Sequence, residues 1–281
     1  MTVITIVAIA AVVAAGLTYN RRVWRPHQAA ARIPRDGLKV WELTAPVASL
    51  AVVLLVFVLV QTFDSWASAG RAETNEATAT LLLFREVDLV GDARLRNRLR
   101  REIVCYATSV ERQEWPAMAR RRVSSVPTYW AARIRGAGVR LVRASGESTA
   151  GENLVTRDGE RAAARQDRLG EARPTVPHAL GWLMLIAVAV VLAVLGAATM
   201  TGVETRVHAV IVVAAATVFA ATLLLIGDLD QPYAGAIKRE PTQTEFVRRQ
   251  IAAEVRGPLP CDAAGLPTRA PGFRATTVPL G

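Results

Sequence analysis

Hydrophobic positions along this chain gather into four long runs separated by segments dense in charge. The runs are Thr2–Thr18, Ala45–Phe63, His178–Met200 and Val207–Ile226, and no ionised side chain interrupts any of them. A helix rises ~1.5 Å per residue, so runs of this length match the ~30 Å hydrocarbon core of a bilayer. The pattern predicts an all-α membrane protein: four transmembrane helices in two hairpins, with a helical extramembrane domain between them. Residues 1–63 then hold the first two helices and a basic loop, 64–177 the helical domain, 178–226 the second pair, and 227–256 a turn and a further helix. Residues 257–281 have repeated Pro and Gly with little apolar content and are predicted to be disordered.

Helical periodicity continues beyond the second run. From Asp64 to Val90 there is no proline, and Leu81, Phe84, Val87 and Val90 keep helical spacing, so this helix is expected to run on into the polar block. Gly91-Asp92 supplies a turn and an N-cap for the next helix, whose apolar face is Leu95, Leu99, Ile103, Tyr106, Ala107 and Val110. Glu114-Trp115-Pro116-Ala117-Met118 is expected to end that helix, because proline cannot continue it cleanly. A shorter helix is predicted over Thr128–Ile134, and residues 145–171 read as polar and weakly helical. One more helix, about Gln243–Arg256, presents Phe246, Val247, Ile251 and Val255.

Tryptophans fit the span boundaries. Trp24, Trp41, Trp66 and Trp182 lie near span ends, where an amphipathic ring suits the headgroup layer. A secretory signal begins with a basic segment, whereas here Arg21, Arg22 and Arg25 follow the first run, which is read as a retained helix. The link from Thr201 to Arg206 is short enough for an antiparallel hairpin.

Composition narrows the function classes. The net charge is +10, and all but Lys39 and Lys238 of the 34 basic residues are arginine. Residues 64–177 mix 20 basic with 15 acidic residues, and no nucleic-acid-binding signature is present, so no nucleic-acid partner is expected. Cys105 and Cys261 are far apart in sequence and lack metal-ligand spacing; a bridge between them stays open at this point. There is no HExxH, Walker loop, GxSxG or CxxC, so neither an enzyme, a metal nor a cofactor is expected. Asp228 and Asp230 are too few for a calcium site by themselves, and a structural role at the exit from the fourth span is expected instead. For Glu114 the expected role is pairing with one of Arg120, Arg121 or Arg122. Basic residues within about 15–20 residues of span ends number seven on each face, which leaves the orientation undecided.

Two short sequences carry a family resemblance: Glu114-Trp115-Pro116-Ala117-Met118, and Asp228-Leu229-Asp230-Gln231-Pro232-Tyr233-Ala234-Gly235. In this order and spacing the chain resembles the bacterial bestrophin-like membrane proteins over about residues 45 to 255. The resemblance implies a four-span subunit in a lipid bilayer, a homo-oligomer around an axis, anion permeation, and a cytoplasmic helical domain and termini. It marks Glu114, Trp115, Pro116, Asp228, Asp230, Pro232, Tyr233 and Gly235 as motif residues. Val52, Val56, Phe57, Leu59, Val60 and Phe63 of the second span are candidate pore-lining positions of a hydrophobic gate, with lipid or helix contact as the alternative. That span departs from the bestrophin neck, being almost entirely Ala, Val and Leu with Phe57 its only interior aromatic. The expected function is an integral membrane protein of bestrophin-like type, an oligomeric anion channel, with a non-conducting scaffold or sensor as the alternative.

Overall fold

The computed structural model describes residues 2–19, 21–22, 40–145, 149–197, 205–270 and 272–280. Most of them are helical. The helices are α1 (Thr2–Tyr19), α2 (Val40–Glu86), α3 (Ala93–Ser109), α4 (Ser125–Ser145), α5 (Thr149–Gly170), α6 (His178–Ala197), α7 (Thr205–Leu229) and α8 (Thr242–Ala253). Two three-residue strands, β1 (Arg122–Ser124) and β2 (Thr277–Pro279), pair antiparallel, with Val123 opposite Val278. The chain divides into two compact units, Met1–Asp64 with Thr175–Asp230, and Ser65–Pro174 with Gln231–Gly281.

Apolar helices make up the first unit. By length and composition α2, α6 and α7 are able to cross a membrane, and the described side chains of α1 cover the shorter apolar stretch Ile6–Tyr19. Their inward seam joins Ile9, Leu55, Val58, Met184, Val188, Leu192, Ala216 and Ile226. On α6 the buried residues Met184, Val188, Leu192 and Gly196 recur every fourth position, one stripe of a helix. The remaining faces stay apolar and exposed, as at Leu50, Val53, Trp182, Ile186, Val210 and Val218. The hydroxyls of Thr62, Thr217 and Thr222 donate to carbonyls one turn back, which satisfies them within their own helices. The link at 201–204, and most of the basic loop after α1, lie outside the described residues.

Helix α1 meets α6 through glycine. A Cβ added to Gly196 would stand 3.3 Å from Gly16 Cα, and one added to Gly16 would stand 3.3 Å from Ala193 O. Small residues of this kind let backbones approach, and helix contact in lipid depends on such close packing.

Unit two is built on the polar extension of α2. Phe84 of α2, Val87 just after it, Leu99, Ile103 and Tyr106 of α3, Val110 just after that helix, and Trp130 and Ile134 of α4 share one core with Leu154, Val247 and Ile251. Asp92 caps α3 as expected, accepting from Arg94 N at 2.8 Å and Leu95 N at 3.3 Å. The helix closes over Glu114–Met118, through a π-helical turn, Val110–Glu114, and one α-turn, Trp115–Met118. The widened turn lets Pro116 sit near the start of a new turn, where its missing N–H costs nothing. The short helix expected at Thr128–Ile134 extends over all of α4. Residues expected to be weakly helical form the 22-residue α5, because one charged face of it is buried and paired. Phe246 lies off the buried face of α8, which consists of Thr244, Val247 and Ile251.

The segment after Gly257 is ordered rather than disordered. Cys261 bonds to Cys105 of α3 across 156 residues of sequence. Asp262 Oδ1 accepts from Ala264 N and Leu266 N, which shapes a tight turn. At its tip Gly265 adopts φ +81°, and a Cβ there would fall 2.6 Å from Ser109 N. Trp130 Nε1 donates to Gly265 O at 2.8 Å, and β2 then completes the pair with β1. Low apolar content does not prevent order when a segment borrows a core built by other elements.

Replacing Gly196 by Leu should drive α1 and α6 apart, at about 1–3 kcal/mol for an overpacked contact. Thermal unfolding in detergent should show a clear fall for Gly196→Leu and little change for Gly181→Leu, since Gly181 has open space around it. Equal effects at the two positions would contradict the close crossing.

Candidate functional site

Helix α5 presents Asp158, Arg161, Arg165 and Arg168 at spacings of three and four, so all four share one face. That face is buried: Arg161 and Arg168 are 1% and 0% exposed. A guanidinium out of water must meet an acceptor for its charge. Arg165 donates to Glu114 from Nε at 3.1 Å and from Nη2 at 2.5 Å. Arg168 donates to the same carboxylate from Nη2 at 2.5 Å and to Glu76 from Nε. Tyr106 donates its hydroxyl to the other Glu76 oxygen at 2.6 Å. A second pair lies along the same helix, where Arg161 donates to Asp158 at 2.6 Å while packing over the Tyr106 ring at 4.4 Å. Arg135 of α4 donates to the remaining Asp158 oxygen at 3.0 Å.

The two sequence motifs meet at this network. Glu114 is fully buried in it, and Trp115 packs edge-on against Tyr233 with ring centroids 5.2 Å apart. The Arg168 guanidinium lies 5.2 Å from the Trp115 ring. Trp115 Nε1 donates to Arg239 O at 3.0 Å, and Tyr233 is 3% exposed. Pro232 O accepts from Arg239 N at 2.7 Å, while Gly235 takes φ +89°, so the turn after α7 needs its glycine. Arg239 stacks on Trp66 at 3.4 Å. The partners of Glu114 are therefore Arg165 and Arg168, not the nearby Arg120, Arg121 or Arg122. An arginine triplet adjacent in sequence fans out around the turn, whereas α5 supplies two guanidiniums on one face.

Asp228 and Asp230 lie in the other unit. Asp230 Oδ1 accepts from Thr175 N at 2.8 Å, Val176 N at 2.9 Å and Thr175 Oγ1 at 3.0 Å, tying the end of α7 to the entry of α6. Asp228 is half-buried in the last turn of α7. Among the described residues no group of three or more His, Cys, Asp or Glu side chains is placed to hold a metal. Of the second-span candidates, Val52, Val56, Phe57, Val60 and Phe63 stand on the exposed face of α2, and Leu59 packs partly into the first-unit seam.

Electrostatics follow from burial and pairing. Burial opposes ionisation of Glu114, but Arg168 and Arg165 outweigh it and hold the carboxyl below its usual range. Burial likewise opposes the charge on Arg168, and Glu76 and Glu114 more than offset it. Burial, reinforced by Glu76, raises the Tyr106 hydroxyl, and burial raises that of Tyr233. Glu73 is pushed up by burial although it accepts from Gln243 N at 2.9 Å at the start of α8. Glu76 and Glu114 face Arg165 and Arg168 two against two, and Asp158 stands between Arg161 and Arg135, so the pairing gives the network a structural role.

A carboxyl whose folded pKa is lowered adds stability that is complete above the ordinary value, 4.5, and is lost as pH falls through the lowered one. Thermal stability in detergent should therefore drop on acidification below that value. Glu114→Gln should be less stable at neutral pH by about 3 kcal/mol and should show a shallower acid limb. Parallel acid limbs in the two proteins would contradict the assignment.

The sequence matches the bestrophin-like domain over residues 7–244. No protein of curated function matches it. The fold is similar to that of a bacterial bestrophin homologue from Klebsiella pneumoniae, with TM-score 0.70, 13% identity, and 90% of this chain and 99% of that chain covered. A point mutant of that homologue gives TM-score 0.67 at 14% identity, covering 89% and 98%. A crystal structure known only as a membrane protein gives TM-score 0.67 at 16% identity, covering 91% and 99%. With a domain match spanning most of its length, this chain belongs to the bestrophin-like family of membrane proteins.

Proposed function

We propose that this protein is a four-span subunit, with α1–α2 and α6–α7 as its two membrane hairpins, that assembles with copies of itself and passes anions. The observation that carries the reading is the exposed face of α2. Val52, Val56, Val60 and Phe63 fall within one arc of the helix, all at least 45% exposed and none charged. Packed around an axis, such a stripe forms a hydrophobic constriction that conducts only when wetted. Family membership and the fold shared with bacterial bestrophin homologues support placing α2 at that axis. The 18 residues of α1 rise ~27 Å, close to one bilayer core.

The second reading is a non-conducting scaffold or sensor. It is supported by the lack of any charged or polar side chain on that exposed stripe, which suits lipid or subunit packing equally well. Reconstitution in planar bilayers under a chloride gradient separates the two. The channel reading predicts a current reversing near the chloride potential, enlarged in Val56→Thr, where a hydroxyl of similar shape eases wetting. An intact oligomer with no current in either protein, across voltage and calcium, would overturn conduction and leave the scaffold.

A further inference from the structure

The helical unit contains a buried covalent bond whose chemistry depends on compartment. The chain has two cysteines, and both are used in the Cys105–Cys261 bridge. Cys105 is 0% and Cys261 8% exposed. The bond fastens the tail beside α3, where Gly265 presses on Ser109 and Trp130 holds the Gly265 carbonyl. Disulfides persist in oxidising compartments, whereas cytosolic thiol pools keep cysteines reduced.

The short loops give a second, independent indication. Residues 20–39 carry Arg21, Arg22, Arg25, Arg32, Arg35 and Lys39 against a single acid, Asp36. Charge in short loops sets orientation, while segments longer than about 60 residues translocate largely regardless of charge. Ser65–Pro174 is such a long segment, so its basic residues carry little weight. Three of those near the third span, Arg161, Arg165 and Arg168, also lie in the protein interior, paired with Asp158, Glu114 and Glu76. Discounting them breaks the even count between the two faces, and the short basic loop becomes the cytoplasmic one.

We infer that the helical unit faces the extracytoplasmic side of the membrane and that its tail is locked there by oxidation of Cys105 and Cys261. This rests on the four-span reading and reverses the orientation that the family resemblance implies. In the oxidation two S–H bonds break and one S–S bond forms. Two protons and two electrons pass to the disulfide of an exchange partner, which leaves as a dithiol. The closed bond then lies under the tail, away from thiol reductants, and partners of this unit meet it from outside the cell membrane.

Two measurements on the full-length protein in bacterial membranes test this. In the unaltered chain, cells quenched in acid and then denatured should take up no polyethylene-glycol maleimide until a reductant is added, and two afterwards. Uptake of two without reductant would overturn the locked tail. In intact cells stripped of any outer barrier, a membrane-impermeant maleimide should label Asn97→Cys, at an exposed position of α3, before lysis. His27→Cys should label only after permeabilisation. The reverse pattern overturns the orientation while keeping the span count. Labelling of both from one side overturns the four-span reading beneath it.

Discussion

Glu76, Arg168, Glu114 and Arg165 alternate in sign through the interior of the helical unit, and each is less than a tenth exposed. Taking any of them out of water alone would cost several kcal/mol, and half of a pair cannot stay buried without the other. The network therefore admits one register of the elements that supply it. Helix α2 must bring Glu76, the π turn must bring Glu114, and α5 must present both guanidiniums on one face. Trp115 and Tyr233, which distinguish the two motif turns, pack on the outside of this constraint.

Such a network does little for stability compared with an apolar core of equal volume, so its value lies in specificity. An all-apolar interface between α2, α3 and α5 would tolerate slips along the helices. Charged partners at fixed heights do not. The same logic explains the π turn: an α-helical path through Val110–Glu114 would point Glu114 elsewhere on the helix, so the extra residue per turn is part of the aim.

Much of this was legible in the residues. The long α2, the Asp92 cap and the apolar face of α3 follow from periodicity and capping chemistry. The charged face of α5 was not legible, because Asp158, Arg161, Arg165 and Arg168 look like a solvated surface until their partners are known. Their helical spacing was a usable signal, since charges confined to one stripe ask for a reason. The ordered tail was hidden for a related cause. Its Pro and Gly residues carry no core of their own, and the two cysteines that anchor it are remote in sequence.

The membrane unit and the helical unit thus use opposite devices. The first relies on glycine contact and apolar seams, and the second on paired charge and a covalent strap. Paired charge sets the register of the second. A double-mutant cycle on Glu76 and Arg168, using Glu76→Gln and Arg168→Met and following unfolding free energy in detergent, tests it most directly. A loss of about 3–5 kcal/mol is expected for each single change, with the double mutant better than their sum by on the order of 1–3 kcal/mol. Losses that add to within about 0.5 kcal/mol would contradict it.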